Sequence, residues 1–179
     1  MWNSIVSTGN EIQNKDIKKI INGQNSSIII KNFYEKENCD KIIQKISNTN
    51  IENDSKKFNH IGPFLMNYTT RKEKYFQNAK KANIIFKKIF SNVENPVDKI
   101  KLTMSKSFPN YKISKTKENK LDYASCNIRR HVKGKSVPLH KDNVRYEGVE
   151  YNISKIKNQL SCILHLQRTE KGGNLLIYK

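Results

Sequence analysis

The spacing of apolar residues changes once along this chain of 179 residues, and that change most limits how it can fold. Up to about residue 120, apolar side chains recur at helical spacing. After Leu121 they alternate with polar side chains, as they do in strands. Helices followed by short strands favour a mainly antiparallel sheet or barrel with helices packed on it. We therefore predict one α+β domain, with residues 1–120 as helical support and 121–179 as the sheet.

The first part of the sequence predicts a short buried strand over residues 27–33 and three helices. The helices are expected from about Lys36, over residues 71–90, and from Pro96 to about Ser107, where proline suits the first turn. One apolar stripe of the second helix is expected in the core: Tyr75, Ala79, Ala82, Phe86, Ile89 and Phe90. Residues 47–59 are predicted as a loop, and His60 as a loop residue, with a substrate contact as the alternative.

The second part predicts three strands, over residues 123–132, 160–166 and 174–178. A Gly-Gly turn at residues 169–173 is expected to separate the last two. In the first strand, Asn127, Arg129 and His131 share the polar face.

The segment His140-Lys-Asp142 is the strongest candidate for a chemical site. On an extended chain, residues i and i+2 point to one side, so an imidazole nitrogen and a carboxylate oxygen can reach one ion. This supplies two of the three protein ligands of an Fe(II) facial triad, which leaves coordination positions open. A His-x-Asp tripeptide without a metal is the alternative, because it also occurs by chance.

A family resemblance rests on the order and spacing of several stretches: residues 29–40, residues 128–134 followed by the His-x-Asp motif at 140–142, and residues 160–167 followed by the Gly-Gly stretch at 172–177. The chain resembles the Fe(II)- and 2-oxoglutarate-dependent oxygenases, close to the prolyl-4-hydroxylase-like group. The resemblance implies a partial double-stranded β-helix, of the jelly-roll or cupin type, behind N-terminal helices. It also implies Fe(II), 2-oxoglutarate and O2 as cofactors, with ascorbate as an optional reductant.

The resemblance implies roles for particular residues, with His140 and Asp142 as the Fe(II) ligands. Candidate cosubstrate contacts are Arg129, His131 and His165, and candidate substrate contacts are Asn127, Asn143 and Arg145. Purely structural roles in a core, at a sheet edge or in solvent are the alternatives. Halogenating members leave the position of the carboxylate for chloride, so with Asp142 the resemblance implies hydroxylation of a C–H bond or a related oxidation, and not halogenation.

The family also has a second histidine ligand and a basic partner for 2-oxoglutarate, expected well after the Gly-Gly turn. Only Asn-Leu-Leu-Ile-Tyr-Lys follows Gly173, so the chain resembles one cut short before its last strands. We expect such a chain to be inactive and poorly soluble by itself. His165 is the alternative third ligand.

The net charge of +18 makes a nucleic-acid partner an alternative to a small-molecule or peptidyl substrate. The basic residues are mostly scattered lysines in a chain rich in Asn and Ile, which argues against that alternative. We expect no membrane span, because the sequence has no long apolar run, and no secretory signal, because the first residues lack its basic start and apolar stretch. Three widely spaced cysteines suit a reducing cytoplasm. The expected function is therefore a cytoplasmic oxygenase. A non-catalytic metal-binding remnant and a basic nucleic-acid-binding module are the other two hypotheses.

Overall fold

The computed structural model describes residues 2–8, 11–49, 58–131, 133–134 and 136–178. The helices are α1 (Asn14–Ile21), α2 (Lys36–Ser47), α3 (Lys72–Ile89), α4 (Pro96–Ser107) and α5 (Val144–Glu147), with 3₁₀ turns η1 (Leu65–Tyr68) and η2 (Asn152–Lys155). The strands are β1 (Ile5–Ser7), β2 (Ile28–Ile30), β3 (Phe58–Ile61), β4 (Lys117–Glu118), β5 (Leu121–Asp122) and β6 (Ile128–His131).

The chain divides into two compact units. The first contains Met1–Lys41, Val93–Ser114 and His165–Lys179, and the second contains Ile42–Asn92 and Lys115–Leu164. The prediction of a single domain stays a prediction. None of the described helices is long and apolar enough to cross a membrane.

In the first unit, a parallel pair of short strands is joined through a helix. β1 pairs with β2 so that Ile5 lies opposite Ile28, and α1 lies between them in the chain. Residues 27–33 were expected to form a buried strand, but the strand there is limited to β2, and Ile29 is 47% exposed. Successive side chains of a strand point to opposite faces, so Ile28 and Ile30 are half-buried on one face while Ile29 lies on the exposed one.

Helix α4 has the predicted bounds because its N-terminus has two local signals. Pro96 occupies the first turn, and the Asn95 side chain accepts a hydrogen bond from the Val97 N–H at 3.0 Å. The prediction that Val97, Ile100 and Met104 point inward is correct only in part, because all three are half-buried. Two small polar residues of α4 are buried instead, Thr103 and Ser107. The Ser107 hydroxyl donates to the Ile12 carbonyl at 2.6 Å, which satisfies a buried polar group.

The second unit has an aromatic core against α3. All six residues of the predicted stripe are buried. Tyr75 contacts Tyr151 edge to face at a centroid distance of 5.4 Å, and Phe76 contacts Tyr123 in the same way at 5.0 Å. Such arrangements place the positive ring edge on the negative ring face. The core thus connects α3 with the segments before β6 and after α5.

The strands of the second unit are fewer than predicted. Of residues 123–132, only β6 is a strand, and it pairs with β3 so that His60 lies opposite Arg129. His60 is therefore a strand residue, 4% exposed, and its prediction as a loop residue is wrong. Val132 and residues 50–57 of the predicted loop lie outside the described residues.

The predicted strands at residues 160–166 and 174–178 are wrong, because both segments have irregular backbone. Their apolar side chains are largely exposed, as at Ile163 and Leu175, both 61%. Alternation marks a strand only where a neighbouring strand accepts its hydrogen bonds, and no described strand does so here. The expected Gly-Gly turn does form: Gly172 and Gly173 have φ of 69° and 70°, and the Thr169 hydroxyl donates to the Gly172 carbonyl at 2.7 Å. The described residues contain no closed barrel, and the double-stranded β-helix stays a prediction.

Candidate metal site

The side chains of His140 and Asp142 converge, although the segment is irregular rather than a strand. His140 Nε2 lies 3.6 Å from Asp142 Oδ1, and the two side chains are 50% and 48% exposed. The two residues are only two positions apart, so no contact from a distant part of the chain is needed to bring their side chains together. The pair therefore lies where a small molecule from solvent can approach it.

One hydrogen bond fixes the orientation of the His140 ring. Nδ1 lies 2.7 Å from the Pro138 carbonyl oxygen. A carbonyl oxygen only accepts, so Nδ1 carries the hydrogen, and in the neutral ring Nε2 presents its lone pair to Asp142. In metal-binding histidines, one ring nitrogen binds the metal and the other usually donates to a backbone carbonyl, a carboxylate or water.

The donor set fits a cation between the two side chains. A lone pair on Nε2 and a carboxylate oxygen repel each other unless a positive charge lies between them. Metal–nitrogen and metal–oxygen bonds are each about 2.1 Å, so one ion reaches both atoms across the 3.6 Å gap. A protonated His140 in an ion pair is the other way to satisfy the contact. This geometry is compatible with one cation held between His140 and Asp142.

The segment after the pair is held by two caps on the short helix α5. The Asn143 side-chain oxygen accepts from the Arg145 N–H at 3.1 Å, and the Gln159 side-chain oxygen accepts from the Val144 N–H at 2.8 Å. Asn143 was predicted as a substrate contact, and its oxygen has this structural role. Arg145 is exposed on α5.

No third ligand joins the pair in the part of the chain that is described. Those residues contain no group of three or more His, Cys, Asp or Glu side chains able to hold a metal. His165, the alternative ligand, is exposed and belongs to the other compact unit. The described residues therefore offer a two-ligand site.

The predicted cosubstrate and substrate contacts in this region are exposed: Arg129 and His131 on β6, and Asn127 just before it. The Arg129 guanidinium lies 4.4 Å from the centre of the Phe64 ring, a cation–π contact. The Phe64 ring also contacts the His60 ring, at a centroid distance of 4.6 Å. The sequence did not indicate this grouping, because Phe64 follows β3 and has no periodic signal.

A buried carboxylate that the sequence did not single out organises the second unit. Glu118 is 3% exposed and accepts hydrogen bonds from Lys72, from the Tyr123 hydroxyl and, at 2.8 Å, from the Asn152 N–H. Lys72 also donates to the Glu150 carbonyl at 2.7 Å. Glu118 thereby connects α3, the hairpin β4–β5 and the chain after α5. The sequence shows it only as one acidic residue in a polar loop.

The environment shifts the pKa values of this network. Burial alone would raise the pKa of the Glu118 carboxyl, but its three hydrogen bonds and the charge of Lys72 outweigh burial and lower it. Burial, together with the neighbouring Tyr75, raises the pKa of Tyr151 to about 12. Both groups thus keep at neutral pH the protonation state that their hydrogen bonds require.

Asn83 fixes the approach to β6 in the same unit. Its side-chain nitrogen donates to the Tyr123 carbonyl at 3.0 Å, and its side-chain oxygen accepts from the Ser125 N–H at 2.9 Å. The half-buried Asn83 side chain thus satisfies one backbone carbonyl and one backbone N–H of an irregular segment, where the sequence predicted sheet hydrogen bonds. Asparagine inside a helix pattern gave no hint of this role.

The comparisons with known proteins give one match. A family model described as carrier-protein-independent halogenase WelO5 matches residues 5–179, a range that includes His140 and Asp142. The matched family is a family of Fe(II)- and 2-oxoglutarate-dependent enzymes, which confirms the broad class expected from the sequence. It does not support the closer grouping with prolyl-4-hydroxylases. No curated protein and no solved structure matches the chain.

Proposed function

We propose, because the chain belongs to the family of the carrier-protein-independent halogenase WelO5, that it is an Fe(II)- and 2-oxoglutarate-dependent oxygenase that hydroxylates a C–H bond. Its substrate is a small molecule or a peptidyl residue. Bound iron and 2-oxoglutarate supply the activation of O2 and the oxidising power for the C–H bond. The residues of the chain hold the iron, orient the substrate and set which atom enters the product.

One observation carries the proposal: the 3.6 Å approach of His140 Nε2 to Asp142 Oδ1, with Nδ1 bonded to Pro138. With Nδ1–H bonded to the Pro138 carbonyl, a neutral imidazole presents the electron pair of Nε2 on the side of the carboxylate. Half-exposure of both side chains leaves room for a substrate beside them. Arg129 and His131 are proposed as cosubstrate contacts, and Asn127 and Arg145 as substrate contacts.

Asp142 is the reason to propose hydroxylation within a family named for a halogenase. A carboxylate beside the histidine contributes an anionic oxygen ligand, and that ligand takes the coordination position that a halide would need. The carboxylate also balances one positive charge of the metal, which weakens the attraction of a further anion. Halogenation is the second candidate, favoured by the family description alone.

Anaerobic calorimetric titration with Fe(II) in the presence of 2-oxoglutarate tests the site. We expect His140→Ala to weaken Fe(II) binding by about tenfold or more, because a lost ligand removes coordination energy. The matched control is His165→Ala, another exposed histidine, which should bind Fe(II) as the unchanged chain does. Equal affinity of His140→Ala and the unchanged chain would overturn the proposal, and a loss in His165→Ala would make that residue a ligand.

A halide titration separates hydroxylation from halogenation. With Asp142 present, chloride at constant ionic strength should leave Fe(II) affinity unchanged. In Asp142→Gly, chloride should restore part of the affinity lost with the carboxylate. A chloride effect in the unchanged chain would favour halogenation. Fe(II) binding without any release of succinate from 2-oxoglutarate would favour a non-catalytic metal-binding protein instead.

A further inference from the structure

A cavity of about 330 Å³ opens where η1 leads into α3, and the metal-site proposal does not use it. Four residues line it: Asn67, Tyr68, Arg71 and Lys74. Its volume lies at the lower end of the range for small-molecule sites. Most such sites are apolar with a few polar groups, whereas this lining contains two cations and an amide. Its chemistry therefore points to a charged ligand.

Tyr68 is the buried residue of the lining, so we take it as the base of the cavity, and three contacts hold it in place. Tyr68 is 8% exposed, and its hydroxyl accepts a hydrogen bond from the Asn78 side chain at 2.8 Å. Its backbone carbonyl accepts from the buried Tyr151 hydroxyl, also at 2.8 Å. Its ring contacts the Tyr75 ring at 6.0 Å. A base held by three contacts keeps its shape when a ligand arrives, so little ordering energy is lost on binding.

Arg71 is held in place above this base. One guanidinium nitrogen, Nη2, donates to the Asn67 carbonyl at 2.8 Å, and the guanidinium carbon lies 5.5 Å from the centre of the Tyr68 ring. These two contacts use a single N–H, so the remaining N–H groups of the planar fork stay available to a ligand. A fork with a fixed plane recognises two oxygens of one anion at once.

Lys74 brings a second positive charge to the same cavity. Arg71 is the N-cap of α3 and Lys74 lies in its first turn, and both line the cavity. Like charges at this spacing repel each other when nothing lies between them. No carboxylate lines the cavity, and within the described part of the chain neither cation has an ion-pair partner. Glu73 stands between them in sequence but does not line the cavity.

We propose that this cavity binds a phosphate group, either free or as the phosphate of a small phosphomonoester. Two cations match the charge of a phosphate monoester near neutral pH, which is about −1.5 to −2. The Arg71 fork takes two phosphate oxygens, Lys74 takes the third, and the Asn67 amide adds a neutral donor. The site is independent of His140 and Asp142, so iron is not needed for binding.

The test is a titration of the full chain with inorganic phosphate and, separately, with glycerol 3-phosphate. Sodium chloride holds the ionic strength constant, because screening would otherwise imitate binding. Backbone amide NMR shifts locate the site, and a Kd is fitted from them. We expect saturable shifts centred on Asn67 to Lys74, and a Kd at least tenfold weaker in Lys74→Gln and Arg71→Gln. A thermal melt of each variant confirms that it is folded.

Lys81→Gln is the matched control, because Lys81 is another exposed lysine of α3, outside the cavity. It should keep the Kd of the unchanged chain. An equal loss in all three variants would mean diffuse charge attraction and would overturn the proposal. Shifts that never saturate with either probe would overturn it too. Tighter binding of glycerol 3-phosphate than of phosphate would assign an ester as the ligand, and equal binding would assign the free ion.

Discussion

At the scale of single residues, burial decides how much a carboxylate in the hairpin β4–β5 contributes to stability. Glu118 is 3% exposed and bonded to Lys72, Tyr123 and Asn152. Asp122 pairs with Lys117 at 3.3 Å, and their side chains are 51% and 62% exposed. Exposed pairs contribute little because water screens them, whereas removing one member of a buried network leaves its partners without compensation.

We therefore predict that Glu118→Gln lowers the free energy of unfolding by about 2 kcal/mol at pH 7. The loss should shrink as the medium becomes acidic. The pKa of Glu118 is lowered in the folded chain, so its contribution is present above the unfolded pKa and is lost as pH falls through the folded pKa. Urea unfolding at pH 7 and at progressively lower pH measures both effects.

Asp122→Asn is the control for this prediction, since it changes the same kind of group in the same hairpin. Its effect on the free energy of unfolding should stay within about 0.5 kcal/mol at every pH. Equal losses in the two variants would show that burial of Glu118 does not set its contribution.

At the scale of elements, helices could be predicted from the sequence because their signals are local. The bounds of α4 follow from Asn95 and Pro96, and those of α3 agree with residues 71–90 to within one residue at each end. Strands depend on a partner elsewhere in the chain, so the alternation of residues 160–166 predicted a ladder that does not form. The same reasoning applies to His60, whose partner strand β6 lies about seventy residues away in sequence.

The candidate metal site could be predicted for a local reason as well. His140 and Asp142 are two residues apart, so their convergence needs no contact from a distant part of the chain. Long-range hydrogen bonds could not be predicted in the same way. Gln159 caps α5, the helix that follows the pair, from fifteen residues away, and in the aromatic core Tyr151 bonds to Tyr68 across 83 residues. Nothing in the local sequence of either residue distinguishes such a bond from exposure to solvent.

Gly62 lets the chain after β3 pass close to the chain before β6. Its φ is +103°, and a Cβ there would lie 2.6 Å from Asn127 Oδ1 and 2.9 Å from the Cys126 carbonyl oxygen. We predict that Gly62→Ala destabilises the chain by about 3 kcal/mol, because backbone strain and a clash add together. It should also disturb the amide NMR signals of Asn127. Thermal and urea unfolding measure the loss.

Gly134→Ala provides the comparison, since Gly134 also has a positive φ, +75°, but no atom within 4 Å of a Cβ. Only the backbone strain of a positive φ applies there, so Gly134→Ala should lower the free energy of unfolding by about 1 kcal/mol. A Gly62→Ala loss no larger than that of Gly134→Ala would mean that the chain shifts to accommodate the added methyl group.

At the scale of the whole molecule, two opposing properties govern association. The chain has a net charge of +18, which keeps copies apart at low ionic strength. It also exposes large apolar side chains in its last part, among them Ile163 at 61%, Leu176 at 68% and Tyr178 at 65%. Exposed apolar surface on this scale favours contact with other surfaces. Which property dominates depends on salt, because salt screens charge repulsion and leaves the apolar attraction.

We predict that the chain associates more as sodium chloride is raised from low to high concentration, opposite to the response of an assembly held by ion pairs. Sedimentation velocity at fixed protein concentration measures it. Ile163→Ser with Leu176→Ser should reduce the association at high salt. Ile84→Ser is the matched control and should not, because Ile84, 51% exposed, is a single apolar side chain among exposed lysines on α3 and so adds no continuous apolar surface. Association that weakens with salt would identify charge pairing, and not the apolar side chains of the last part, as its cause.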